Sequence, residues 1–510
     1  MLAAMPPTTP PAPNQGEPLI RDRGDACPGA LRLHPADDGR LARLRLPAGL
    51  LTSRQVEVLA SAAESLGDGR VTVTSRGNVE LRGLGEGCGA ELADRLAEAG
   101  LLPSTTHERV RNIVASPAAG LDGLGHADAQ LWARELDALL CATPWAAALS
   151  GRFLFALDDG RGDVAGLGAD VTLIAGGARP DTDRGSGGSP SGGGARTGGS
   201  ASSGDTGART GGSPLPAGST ASGCVGPALR AGDALLCVGG QTFRVAGADA
   251  PRAALAAADA FLRAAQNAGN GAWRVKELPR SGAPEAEATD DAGPNGLPSV
   301  GPTGAPGAGE AGPGAPGAGE AGAPNAGTGL LDLAAALARA GVDARPVTPA
   351  PPLPHRAPPV PGALGGRALH VLAPLGRLTA AQLRALLPAD EVRLTPWRGA
   401  VVVGASHERL PELDAAGLIT RPADPWAGVG ACTGRPGCAK SLADVRADAT
   451  PGRGGLPVHF SGCERRCGHP QGRAWVDVVA TADGHYLVDG RATPRTDLPH
   501  AVAAARTPTR

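Results

Sequence analysis

The sequence predicts an α+β protein with a duplicated core. Three observations carry the prediction: a strand–helix–strand unit occurs twice, a longer mixed α/β segment follows each copy, and four cysteines gather in the second of those segments.

The first copy reads LRLPAGLLTSRQ at 44–55, then a helical stretch, then VTVTSRGNVELRGL at 71–84. The second reads LHVLAPLGRLTAAQ at 369–382, then a helical stretch, then VRLTPWRGAVVVG at 392–404. Gly49, Leu51, Thr52 and Gln55 align with Gly376, Leu378, Thr379 and Gln382. In each copy apolar and polar residues alternate, a glycine turns the chain, threonine is placed to start a helix, and a β-branched run returns as a strand. Half a sheet used twice predicts that the copies pair about a pseudo-twofold axis.

Between the copies, helical text at 90–99 and 127–140 leads to RFLFALDDGRGD at 152–163, strands within 227–246 and an Ala-rich helix at 251–268. After the second copy, 415–488 holds the cysteines and ends in two strands. Two stretches break from this pattern: a Gly/Ser/Thr run at 179–222 and a Gly/Ala/Pro/Glu run at 281–328. Neither has enough apolar residues to offset its ordering entropy, so both are expected to be disordered. The expected organisation is therefore a disordered tail (1–16), a first half-domain (17–89), an α/β domain (90–278) with the insert 179–222, a disordered linker (279–328), a second half-domain (329–414) and a cysteine-bearing domain (415–510).

The formal charge of −2 over 510 residues argues against general nucleic-acid binding, which calls for a strongly basic balance. Lys276 and Lys440 are the only lysines, so anion sites must be built from guanidinium forks. No apolar run approaches the roughly 18 residues of a membrane span. The start is Pro-rich and uncharged until Glu17, unlike a secretory signal. Nine cysteines, an odd number with four inside 36 residues, fit a reducing, cytoplasmic setting and a metal site better than a disulfide framework.

Those four are Cys432, Cys438, Cys463 and Cys467, in the pattern C-x5-C, 24 residues, C-x3-C. A [4Fe-4S] cubane needs four converging thiolates, the soft ligand that iron–sulfur chemistry prefers. Gly434, Gly437, Gly462 and Gly468 allow close backbone approach and leave amide N–H groups to donate to sulfur. Structural zinc also takes four cysteines, usually with gaps of two to four residues in both pairs, and stays open as a reading of this motif. Cys27, Cys88, Cys141, Cys224 and Cys237 have no partner at ligand spacing and read as ordinary thiols.

These features resemble the nitrite/sulfite reductase superfamily, in which C-x5-C…C-x3-C accompanies two ferredoxin-like half-domains that pair. The resemblance implies a duplicated α+β architecture: the two half-domains and two mixed α/β domains, the second carrying the [4Fe-4S] cluster. In siroheme members the last cysteine, here Cys467, bridges cluster and haem iron. The family's macrocycle and anion contacts map onto Arg43 and Arg45 in RLRLP, Arg76 and Arg82 in TSRGNVELRG, and Arg111 and Asn112 in RNIVASP. Within the superfamily the text is most similar to the precorrin-3B synthases, on DACPGALRL, TSRGNVELRGL, RVRNIVASPAAGLD, RFLFALDDGRGD, LTPWRG and VHFSGCERRCGHP. Where sulfite reductases carry K-F-K, this chain reads Arg152-Phe153-Leu154, and leucine supplies neither charge nor protons for oxyanion reduction. Two departures stand out. Glu80 replaces a usual glutamine and would repel an anionic macrocycle unless paired, and Arg466 crowds the backbone beside Cys467.

That resemblance implies oxygen-dependent hydroxylation of the polycarboxylate tetrapyrrole precorrin-3A at C20, with γ-lactone formation, in aerobic cobalamin biosynthesis. It also implies a mononuclear non-haem iron beside the cluster, whose ligands the sequence does not identify. His459, His469, Asp158 and Asp159 are candidates. The histidines also read as donors to the cluster, and DDG also reads as an ordinary turn. No GxGxxG follows a strand in a βαβ unit, so electrons from reduced nicotinamide are expected through a separate, ferredoxin-like carrier. The competing readings are a siroheme-dependent nitrite or sulfite reductase and a non-enzymatic iron–sulfur or zinc protein.

Overall fold

The computed structural model describes residues 28–177, 232–279, 331–452, 455–470 and 474–507. The tail 1–16 and the biased stretches 179–222 and 281–328 lie outside the described residues, as do Cys27 and Cys224.

Each copy builds an antiparallel sheet, and each sheet borrows its last strand from the other copy. The first orders His34–Ala36, Gly39–Leu44, Val79–Leu84 and Arg70–Val73, then Arg377–Thr379 of the second copy. The second orders Gly362–Leu364, Ala368–Leu372, Gly399–Val403 and Glu391–Leu394, then Leu50–Leu51 of the first. This reciprocal exchange is the expected pseudo-twofold, and it is written in matching local chemistry. Thr52 and Gln55 form a capping box at the helix Ser53–Leu66, and Thr379 and Gln382 form the same box at the helix Ala380–Ala385. The two helices pack on each other, and one apolar core holds residues of both copies, including Leu51, Val56, Leu59, Leu378, Leu383 and Val392.

The remaining chain forms two further sheets. The strands Ile113–Ala115, Phe155–Asp158 and Val171–Ala175 run parallel and continue antiparallel through Asp233–Val238, Gln241–Ala246 and Ala344–Pro346. The helices Ala129–Ala142 and Ala250–Ala268 share its core. The fourth sheet orders Val429–Ala431, Val458–Ser461, Val476–Ala480, Tyr486–Val488 and Arg491–Thr493.

Two boundaries shift from the sequence reading. The helix Gly89–Glu98, assigned from sequence to 90–278, buries Leu92 and Leu96 in the core of the paired copies. The helix Leu333–Arg339, assigned to 329–414, buries Leu333, Ala336 and Leu337 against Ala250–Ala268, and Ala344–Pro346 extends the six-stranded sheet. Both follow the apolar face that each segment must cover. No described helix is long and apolar enough to cross a membrane.

Candidate metal centre

Val429–Ala431 and Val458–Ser461 are parallel neighbours, and their carboxyl ends lead straight into cysteine loops. Cys432 extends the ladder, its N–H donating to Phe460 O at 2.9 Å, while Cys463 lies two residues past Ser461. The first loop is closed by Ser441 N–H to Cys438 O (2.9 Å) and tied to the second by Leu442 N–H to Gly462 O (2.7 Å). Gly462 N–H donates to Cys432 Sγ at 3.2 Å, the amide-to-sulfur contact expected from the glycine pattern. A Cβ at Gly462 would lie 1.8 Å from Ser441 Oγ, so only glycine lets the loops approach this closely.

The other three motif cysteines lie within electrostatic reach of Cys467: although its surface is exposed, partial desolvation, then the charges of Cys432, Cys463 and Cys438, push the Cys467 thiol up. The four are not drawn into a zinc-sized knot. Tetrahedral zinc with bonds of about 2.3 Å holds its sulfurs roughly 3.8 Å apart. Among the described residues, the group of three or more ligating side chains that comes within 4.8 Å is Asp158, Asp159 and Asp163, not the cysteines. A cubane spaces its thiolates more widely than zinc does, because each takes a different iron.

Partly buried cations lie beside the loops. Arg398 donates to Ala431 O (3.2 Å) and Gly468 O (2.6 Å), and Arg446 donates to Leu375 O (3.2 Å) while its Nε is buried without a hydrogen-bond partner. Burial, then the charges of Arg377 and Arg398, push Arg446 down to about 9, opposed by Cys432. Cationic groups near Cys432 suit an anionic cluster. Arg466 does not crowd Cys467: it takes a left-handed backbone (φ 48°) and turns its guanidinium out to Asp477, 2.6 Å away.

The arginines expected to contact the macrocycle separate into two kinds. Arg45 is buried on Arg109 O (3.1 Å) and Gly151 O (2.8 Å), Arg82 on both oxygens of Asp38 (2.9 Å each) and on Gly437 O, and Arg111 on both oxygens of Asp137 (2.6 Å each). Arg43 pairs with Glu80, so the Glu80 charge is neutralised within the protein. Burial opposes its ionisation, but Arg43, then Arg82 and Arg398, hold its carboxyl below the usual range. Asn112 is fully buried between Asn78 (3.0 Å) and Phe153 O (2.9 Å). Arg76 is half-buried, reaching Arg152 O at 3.5 Å, and the Arg152 guanidinium lies 4.8 Å above the Trp273 ring.

A cleft beside the cysteine loops is lined by Trp397, Arg398, Leu167, His459, His469 and Gly468, among others. His459 Nε2 meets Cys467 O at 3.0 Å, and burial followed by the charge of Arg398 pushes its pKa down to about 3, so its imidazole is neutral. His469 stacks on Trp475, ring centroids 5.2 Å apart. Asp158, Asp159 and Asp163 bring their carboxylates within 4.8 Å of one another, and the first two are already held by the protein's own groups. Asp158 accepts four backbone N–H groups, from Gly160, Gly162, Val164 and Ala165, and Asp159 is paired with Arg161, which also grips Asp122. Sequence reasoning passed over Arg398 and Arg446. Arg398 was findable, because aligning the copies sets it opposite Gly77.

Comparison with known proteins agrees with this architecture. Residues 34–99 match the nitrite/sulfite reductase ferredoxin-like half domain. A ferredoxin–nitrite reductase of Leptolyngbya laminosa is 40% identical over 91 residues, 17% of this chain and 18% of that protein. A precorrin-3B synthase of Sinorhizobium sp is 32% identical over 154 residues, 30% of this chain and 33% of that protein. The chain thus matches a third or less of the length of these curated relatives. The solved structure of the Mycobacterium tuberculosis NirA protein superposes with a TM-score of 0.54 at 17% identity, covering 90% of this chain and 79% of that one. The chain shares the fold of the NirA protein. Over residues 34–99 it carries a nitrite/sulfite reductase ferredoxin-like half domain, and over part of its length it is similar to a precorrin-3B synthase.

Proposed function

We propose that this chain is an oxidoreductase of the precorrin-3B synthase type, hydroxylating precorrin-3A at C20 with dioxygen and closing the γ-lactone. The observation that carries the choice is Leu154. It is buried in an apolar cluster with Val114, Ala156 and Val164, against which Leu167 and Trp397 of the cleft wall also pack. A reductase of small oxyanions calls for a cation where Leu154 stands, whereas an apolar cluster behind Leu167 and Trp397 suits the face of a large macrocycle. The similarity to a precorrin-3B synthase supports the same choice.

Cys432, Cys438, Cys463 and Cys467 would hold a [4Fe-4S] cluster, which supplies single electrons when bound. This matters because dioxygen is a triplet and reacts slowly with closed-shell carbon. The protein's own groups do the rest. Half-buried Arg76 and exposed Arg152 offer guanidinium forks to substrate carboxylates, and Arg43, Arg45, Arg82, Arg111 and Asn112 set the frame around them. One oxygen atom enters the product and the other leaves as water, consuming two electrons that come from reduced nicotinamide through a separate carrier and two protons taken from solvent. The test is turnover of precorrin-3A under heavy-isotope oxygen: one labelled atom in the product supports the reading, and an unlabelled product overturns it.

The ferredoxin–nitrite reductase match and the NirA fold favour a second reading, a siroheme-dependent reductase. A haem-type band in the red region of the optical spectrum would select it, while a broad brown absorption alone selects the first.

A further inference from the structure

Setting TSRGN of the first copy against TPWRG of the second places Gly77 opposite Arg398. Both positions have left-handed backbone, φ 70° at Gly77 and 62° at Arg398. Glycine adopts it freely, but a residue with a Cβ is strained there and persists only where its surroundings hold it. Those surroundings are the cysteine loops. Arg398 Nη1 donates to Ala431 O, the residue before Cys432, and Nη2 to Gly468 O, the residue after Cys467. One planar fork thus spans the first and last cysteines of the motif. Room for it is reserved on both sides: a Cβ at Gly468 would lie 2.2 Å from Arg398 Nη2, and one at Gly376 would lie 2.7 Å from Arg398 Cδ.

Charge points the same way. Arg398 and Arg446 make no ion pair among the described residues; Glu80, then Cys432, act electrostatically on Arg398, and Cys432 acts on Arg446 as well. A cubane on four thiolates is an anion, and each electron it accepts adds a negative charge, so a fixed cation beside it favours the reduced form.

Resting on the reading that these cysteines hold a cluster, we propose that Arg398 is its positioning residue: it sets the spacing of the Cys432 and Cys467 loops and, with Arg446 behind it, raises the reduction potential of the cluster.

The test is a redox titration of anaerobically reconstituted full-length protein, followed by electron paramagnetic resonance, with iron and sulfide counted per chain. Arg398→Gln and Arg398→Gly are expected to fold, the latter relieved of backbone strain, yet to show a lower midpoint potential and faster iron loss to a chelator. Arg398→Lys restores the potential but not the chelator resistance, because an ammonium does not bridge both carbonyls as the fork does. Should Arg398→Gln fail to load, Arg446→Gln, which leaves the clamp intact, carries the charge measurement and is expected to lower the potential. Potentials and chelator rates equal to wild type in these variants overturn the proposal. A wild-type protein that takes up no cluster overturns the underlying reading instead.

Discussion

Leu378, a residue of the second copy, is the ladder partner of Val71 in the first, and both are buried in one shared core. The reciprocal pairing of Val392 with Leu51 closes the exchange. The two copies are therefore one cooperative unit. Leu378→Ala is expected to destabilise it by roughly 2–5 kcal/mol, moving a single urea transition followed by circular dichroism. Two separate transitions, with only one displaced, would contradict the exchange.

Arg76 and Arg111 are expected to behave oppositely. Arg111→Ala leaves Asp137 without its bidentate partner in a mostly buried pair, a loss of roughly 3–5 kcal/mol. Half-buried Arg76 is proposed to contact the substrate, so Arg76→Ala should raise the KM for the tetrapyrrole several-fold and cost less stability than Arg111→Ala. Thermal melting and steady-state kinetics on the two variants decide it. A strongly destabilised Arg76→Ala with unchanged KM would remove Arg76 from the substrate contacts.

Cysteines outside the quartet should be silent. Cys237 sits in the strand Asp233–Val238, where burial pushes its thiol up and so keeps it protonated. Cys237→Ser should retain the iron content of wild type, while Cys432→Ser should lose both iron and activity. Elemental analysis of the two proteins, purified side by side without oxygen, checks this.

Asp163 predicts a pH dependence. Burial is the main cause, with the charges of Asp158 and Asp159 adding to it and Ser116 and Arg161 opposing, and its pKa rises from 3.8 to about 7. As pH climbs from about 4 to about 7, the unfolded chain releases this proton while the folded protein keeps it. Stability should therefore fall across that window, by up to about 1.4 kcal/mol per pH unit, and level off above it. Asp163→Asn should flatten the slope. Urea midpoints at pH 4.5, 6 and 7.5 are the measurement, and an unchanged slope in the variant would remove Asp163 as its source.

What the sequence made legible was local. Capping boxes, turn glycines and alternation are set within a few residues of each other, so both copies and their helices could be read directly. The cysteine motif was legible for the same reason, because its spacing is short. Partners brought in from a distance were not. Asp38 for Arg82 and Asp137 for Arg111 lie 44 and 26 residues away, and nothing at an arginine announces which carboxylate will reach it. The strand exchange joins residues more than 300 apart, as with Arg377 and Thr72, and follows only once both sheets exist. Arg398 lay between these cases, visible as a side chain standing where its twin is glycine.

The centre itself is tested most directly by counting iron and acid-labile sulfide in protein purified without oxygen. About four of each per chain, with a paramagnetic signal on one-electron reduction, is the predicted result. Colourless protein lacking both, or one zinc per chain in their place, would contradict it.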